Sequence, residues 1–219
     1  MNFNQHSSLV GKHAVFSPSS PYWINDTDND ILRKYVNSYM SSVGTILHDF
    51  ARSYIEHGFK MSKFDKKAAT VALLDNGIPA GVVTRLPLDD IFVNIINYVN
   101  DGVAFEMKPE VVLYYSDNFF GTADTIHFDE RNGYLRIHDL KTGIVPGKME
   151  QLLIYNALFI LEYGPMLGFR PGDIQSELRI YQGGEIVYHN PPVIDICAIV
   201  DRIVNIDKLL STTQDRRSA

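Results

Sequence analysis

Apolar residues recur at three- and four-residue steps through Ile31, Tyr35, Tyr39, Val43, Leu47, Phe50 and Tyr54. This spacing predicts a helix over about 28–58 that stops at Gly58. Further helices are expected at about 63–75 and 87–100, with the turn residues of VALLDNGIPAG between them. The period then shortens, and 107–115, 120–128 and 134–140 read as three strands. Segment 148–163 is apolar on nearly every face, Asn156 interrupting it, which predicts a buried helix. Strands at 177–181 and 185–189 flank Gln182, Gly183 and Gly184, a hairpin signal, and an amphipathic helix is expected over 193–210. Residues 1–27 read as a loop-like extension and 211–219 as a frayed tail. The order suits one α/β domain over 1–219, a mixed β-sheet flanked by helices, with no Gly/Ser/Pro-rich linker to mark a second domain.

Composition narrows this picture. Hydrophobic residues make up 45% and charged residues 21% of 219, which argues against disorder. No stretch is long and apolar enough to expect a membrane span. The start, MNFNQHSSLVGKHAVF, lacks a basic region followed by an apolar one, so a cytoplasmic location is expected. Cys197, the one cysteine, excludes an intrachain disulfide, a four-thiolate zinc site and an iron–sulfur cluster. Its apolar neighbours make a buried small residue the expected role. The net charge of −6 weighs weakly against a nucleic-acid enzyme, because whole-chain charge says little about a local groove.

The chemistry concentrates between 121 and 143. Glu130 to Gly133 form a turn signal, so the flanking strands should pair antiparallel with Asp129 opposite Tyr134. Phe128 then opposes Leu135, Ile126 opposes Ile137, and Asp124 opposes Asp139. One face collects Ile126, Phe128, Leu135 and Ile137, with both carboxylates at its far end and Lys141 beyond them. The other collects Thr125, His127, Arg136 and His138, to which no chemistry is assigned. A one-residue slip would mix polar and apolar residues on both faces, so the pattern itself selects this register. Two acids that continue a core-facing stripe repel one another unless a proton or a cation is shared. Mg²⁺ or Mn²⁺, hard ions that prefer oxygen ligands, would compensate them, and a nearby lysine could stabilise charge on a phosphate or orient water. A lone Asp-x-Lys on a strand is usually a solvated edge, so the pair of acids carries the physical case.

Taken together, the residues resemble the PD-(D/E)XK nuclease superfamily, in particular its RecB-like and phage-exonuclease-like branch. The pattern there is Gly-x-x-Asp, a short hairpin, Asp-x-Lys-Thr-Gly, and a helix bearing Gln and Tyr. In this chain it reads Gly121 to Asp124, then Asp139 to Gly143, then Gln151 with Tyr155. The branch's Gly-Thr-x-x-His helix appears as Gly44, Thr45 and His48. These elements span about half the chain. The resemblance implies a restriction-endonuclease-like fold. It implies that Asp124, Asp139, the Leu140 carbonyl and His48 ligate the metal and that Lys141 is the catalytic lysine. Gln151 and Tyr155 would contact DNA or brace the site, and Glu110 would be a further acid, with Glu106 competing for that role. With one cysteine and not four, the chain resembles a type without an iron–sulfur cluster, of phage or prophage kind. No Gly-Lys-Ser/Thr phosphate loop is present, so any unwinding would come from another protein.

The expected activity is a metal-dependent DNA exonuclease in phage replication or recombination, acting with DNA and with a single-strand annealing protein as companion, compatible with a homo-oligomer. A structure-specific or nicking endonuclease fits nearly as well. A nuclease-like fold used only to bind DNA or protein, and a metal hydrolase acting on another substrate, are the alternatives from other classes.

Overall fold

Thr27 starts the first helix: its Oγ1 accepts a hydrogen bond from the Asp30 amide, while Asp28 and Asp30 lie in the first turn, where the helix end is positive. The computed structural model describes residues 4–143 and 145–215. The single long helix expected over 28–58 is two helices, α1 (Asp28–Asn37) and α2 (Met40–Glu56). The break has a local cause. Ser38 Oγ donates to the Tyr35 carbonyl at 2.7 Å, and Tyr39 N–H reaches back only to Val36. A serine side chain that competes for a helix carbonyl favours a bend here. Gly58 ends the second helix in the left-handed region, φ +69°, as its position predicts.

Helices α3 (Lys66–Asp75), a single turn α4 (Ala80–Val83) and α5 (Leu88–Ala104) follow, and the turn α4 was not expected from the sequence. Strands β1 (Lys108–Ser116), β2 (Phe119–Asp129) and β3 (Tyr134–Leu140) come next, then α6 (Met149–Leu167), β4 (Gln175–Gln182), β5 (Glu185–His189) and α7 (Val193–Asp215). The expected order of elements holds, and the last helix runs beyond the expected end at 210. Residues 1–3 of the expected extension and 216–219 of the expected tail lie outside the described residues. No helix among the described residues is long and apolar enough to cross a membrane.

The five strands form one mixed sheet in the order β1-β2-β3-β4-β5, antiparallel except for the β3–β4 pair, which α6 connects. The β2–β3 turn is built by Asp129, whose carboxylate accepts from the amides of Arg131 and Asn132, and Gly133 supplies the φ of +60° that closes it. Pairing is Asp129 with Tyr134, Phe128 with Leu135 and Ile126 with Ile137, the register that the apolar pattern selects.

Each face of the sheet has its own core. Leu135, Ile137, Leu178 and Ile180 pack with Leu152, Leu158 and Ile160 of α6 and with Ile196 and Ile203 of α7. Leu140 and Tyr181 face the other way, onto Val43 and Leu47 of α2 and Ile95 and Tyr98 of α5. Fully burying side chains of this size contributes about 2–3 kcal/mol each. Cys197, expected to be buried, is only half-buried, because the helical period turns its neighbour Ile196 inward instead.

Asn156 is the exception in α6. It is fully buried, and neither atom of its amide has a hydrogen-bond partner among the described residues. Asn156→Leu should therefore raise stability by about 1–2 kcal/mol, read as a higher urea midpoint at unchanged slope. A lower midpoint would contradict this.

Candidate metal centre

The ladder between β2 and β3 is paired as far as Thr125 with His138, and the expected backbone pair of Asp124 with Asp139 is not part of it. A side chain takes its place: Asp124 Oδ2 accepts a hydrogen bond from the Leu140 amide at 3.0 Å. Both acids thus sit where the strands part, at the end of the sheet between α2 and α6. Asp139 is 2% exposed.

Two close approaches bring the helices up to this point. A Cβ on Gly44 would lie 3.2 Å from Thr142 Oγ1, so the glycine lets α2 approach the loop after β3. A Cβ on Gly121 would lie 2.9 Å from the ring of Tyr155, which seats α6 against β2. These contacts give the glycines of the Gly-Thr and Gly-x-x-Asp segments a steric reason.

From α2, His48 Nδ1 lies 3.5 Å from Asp124 Oδ2. From β1 comes Glu110, whose backbone is left-handed at φ +54°, an uncommon conformation for a residue with a side chain. Pairing of β1 with β2 runs from Pro109 with Thr125 to Val111 with Ala123 and passes over Glu110. One ligand atom from each of His48, Glu110 and Asp124 lies within 4.8 Å of the others. These residues, with Gly44, Thr45, Asp49 and Thr122, line an open cavity of about 370 Å³. Strained backbone tends to collect at functional sites, and this strain falls on an acid beside two other ligand candidates. Glu106, the competitor, is elsewhere: its φ of +52° ends α5, where its carbonyl faces the His127 ring at 3.4 Å.

Asp139 is close to this group but engaged differently. Lys141 Nζ donates to its Oδ1 at 3.0 Å and to Gln151 Oε1 at 3.1 Å. Gln151 Nε2 in turn donates to Tyr155 OH at 3.3 Å. Lys141 Nζ is also 2.9 Å from Asp139 Oδ2, but off-line, and that buried oxygen accepts no hydrogen bond among the described residues. Gln151 and Tyr155 accordingly brace the lysine.

Electrostatics follow from burial. Burial raises the Asp124 carboxyl to about 6, opposed by the Leu140 amide and Lys141 and reinforced by Glu110. Burial first, and the charge of Asp124 next, raise Asp139 to about 6 against Lys141 and His48. His48 is pushed below its ordinary value, mainly by burial, although Asp139, the Leu140 backbone and Glu110 pull it upward. Its ring is therefore neutral at pH 7, with a lone pair to offer a metal.

These residues could hold a metal ion. Two carboxylates and an imidazole converge from three elements, and a third carboxylate presents an orphaned buried oxygen beside them. Of the expected ligand set, the structure gathers His48 and Asp124 with Glu110. Asp139 is an electrostatic neighbour held by Lys141, and Leu140 supplies its amide to Asp124 and a backbone hydrogen bond to His48.

Sequence reasoning missed a second polar group on the opposite face. Arg179 bonds Glu177 and Asp101 at 2.8 and 2.7 Å, Tyr181 OH donates to Asp101 at 2.6 Å, and the fully buried His138 ring lies 3.1 Å from Tyr181 OH. His138 first, then Arg179 and Arg136, hold the Glu177 carboxyl at about 2 against its burial. This network clamps β3 to β4 and α5 directly behind Asp139. The sequence offered only the alternation that placed Arg136 and His138 there, because the partners come from distant segments.

Neither protein-family models, curated proteins nor solved structures give a match to this chain.

Proposed function

We propose that the chain is a divalent-metal-dependent DNA nuclease of the PD-(D/E)XK kind, with a restriction-endonuclease-like fold and Asp124, Asp139 and Lys141 at the centre of its site. The observation that carries the reading is the meeting of His48, Glu110 and Asp124 within 4.8 Å beside the Asp139–Lys141 pair. His48, Glu110, Asp124 and Asp139 Oδ2 would hold Mg²⁺ or Mn²⁺. When bound, such an ion supplies Lewis-acid charge to a phosphodiester oxygen and acidifies water.

The chain's own groups do the rest. Lys141 Nζ, fixed by Asp139 and Gln151, presents its remaining N–H to the reacting phosphate, where it offsets charge built up in the transition state. Tyr155 fixes Gln151 and so keeps the ammonium from turning away. His48 stays neutral and does not compete for the phosphate as a cation. The resemblance favours DNA ends as substrate, in phage replication or recombination.

The test is cleavage of end-labelled linear and closed circular DNA by wild type in Mg²⁺, Mn²⁺ or chelator. The expected result is metal-dependent release of nucleotides from linear DNA, with the circle intact. Cutting of the circle would make the enzyme an endonuclease, and no metal-dependent cleavage of either DNA would overturn the proposal.

A further inference from the structure

A second cavity, of about 520 Å³, is lined by Thr142, which meets Gly44 of the metal-ligand cavity. Its wall is apolar: Leu32 and Val36 of α1, Met40 of α2, Leu86 and Pro87 before α5, and Val145. Thr142 and Gly143, the residues directly after Lys141, form the edge nearest the candidate centre. The volume is in the range of small-ligand sites.

Its charge is unlike that of the whole molecule. The chain carries 26 acidic residues against 20 basic ones, yet among the described residues the cleft is lined by Arg33 and Arg85 and by no carboxylate. Arg33 is engaged with Asp30 at 2.8 Å. Among the described residues the Arg85 guanidinium donates to the Gly81 carbonyl oxygen, at 2.7 Å, and has no carboxylate partner. Asn37 adds a side-chain amide able to donate and accept.

An apolar wall with a guanidinium that no carboxylate neutralises among the described residues fits one part of a nucleic acid better than others. Duplex DNA turns sugars and phosphates outward and hides its base faces. Unpaired nucleotides expose an apolar face and keep the phosphate attached, which suits apolar packing beside arginine. We infer that this cleft receives the unpaired bases of a single-stranded DNA end, with Arg85 on the adjoining phosphate, so that the strand crosses Thr142 into the metal centre. The inference rests on the nuclease reading and names the form of its substrate.

Fluorescence anisotropy of a fluorescein-labelled oligothymidylate, beside a labelled blunt duplex, tests it on the full chain in Ca²⁺ buffer. Wild type should bind the oligothymidylate more tightly than the duplex. Arg85→Ala and Met40→Glu should each weaken that binding by about ten-fold, whereas Arg131→Ala, at the remote β2–β3 turn, should not. Thermal melts of each variant keep loss of fold separate from loss of binding. Equal affinity for both DNAs with no effect of either cleft variant would overturn the inference. So would a dimer in sedimentation that Met40→Glu dissociates, since the cleft would then be covered by a second copy. Affinity is read without turnover: intact strand binding without cleavage would sink the nuclease reading alone, and cleavage with unaltered affinities would sink the cleft alone.

Discussion

Lys141→Met should lower metal-dependent DNA cleavage by about 10²–10³-fold while changing DNA affinity much less. The ammonium is held by Asp139 and Gln151 in a fixed place, and the methionine keeps the length of the side chain but removes the charge. An interaction made mainly with charge that develops during reaction appears in turnover rather than in binding. Lys141→Arg should restore little, because a planar guanidinium cannot keep the two contacts of a compact ammonium at the same point. Gln151→Ala should fall between wild type and Lys141→Met, since it loosens the lysine without removing it. Single-turnover rates beside equilibrium affinities make the comparison. A Lys141→Met rate within a few-fold of wild type would remove the lysine from the chemistry.

Asp139→Asn should make the metal-free protein more stable at pH 7.5, by about 1–3 kcal/mol, while abolishing activity. Asp124 and Asp139 are both raised to about 6 in the folded chain, from 3.8 when exposed. The folded state therefore holds more protons than the unfolded state between about pH 4 and 6. The contribution of this pair to the stability of the metal-free protein is fully present below about pH 4, falls as pH rises through that window, and stays lost above it. Asparagine mimics the protonated acid, so it relieves the penalty, and the loss of the Lys141 ion pair is already contained in the shift. The two acids titrate as a pair, so the gain from one substitution is shared between them. Mg²⁺ or Mn²⁺ should raise the melting temperature of wild type at pH 7.5, more than at pH 5, and raise that of Asp139→Asn by less. A variant less stable than wild type without metal would show that the buried carboxylate is satisfied in some other way.

Much of this arrangement can be read from the chain because it is local. The alternation of Ile126, Phe128, Leu135 and Ile137 selects a hairpin register by which side of the sheet is buried, and the acids follow from it. Gln151 and Tyr155 fall together because a helix brings residues four apart onto one face. What escapes the pattern is either a backbone choice or a distant partner. Glu110 reaches His48 and Asp124 through a left-handed φ that no residue type there announces. The break at Ser38 depends on one side-chain hydrogen bond against a helical pattern that continues across it. The parting of β2 and β3 after Thr125 is set by Asp124 bonding the Leu140 amide, so the two acids do not face each other as a backbone pair. Glu177, Arg179 and Asp101 gather around His138 only because β4 pairs with β3 and α5 packs across the face of both. The resemblance implied Asp139 as a ligand. In the folded chain Lys141 holds one of its oxygens and leaves the other without a hydrogen bond.

The most direct measurement is an anomalous difference map from crystals of the wild-type chain soaked in Mn²⁺. A strong peak should appear in contact with Asp124, His48 and Glu110 and with Asp139 Oδ2, and it should vanish in Asp124→Asn. No peak at that position, or one bound by other residues and unaffected by Asp124→Asn, would contradict the metal centre on which the nuclease reading stands.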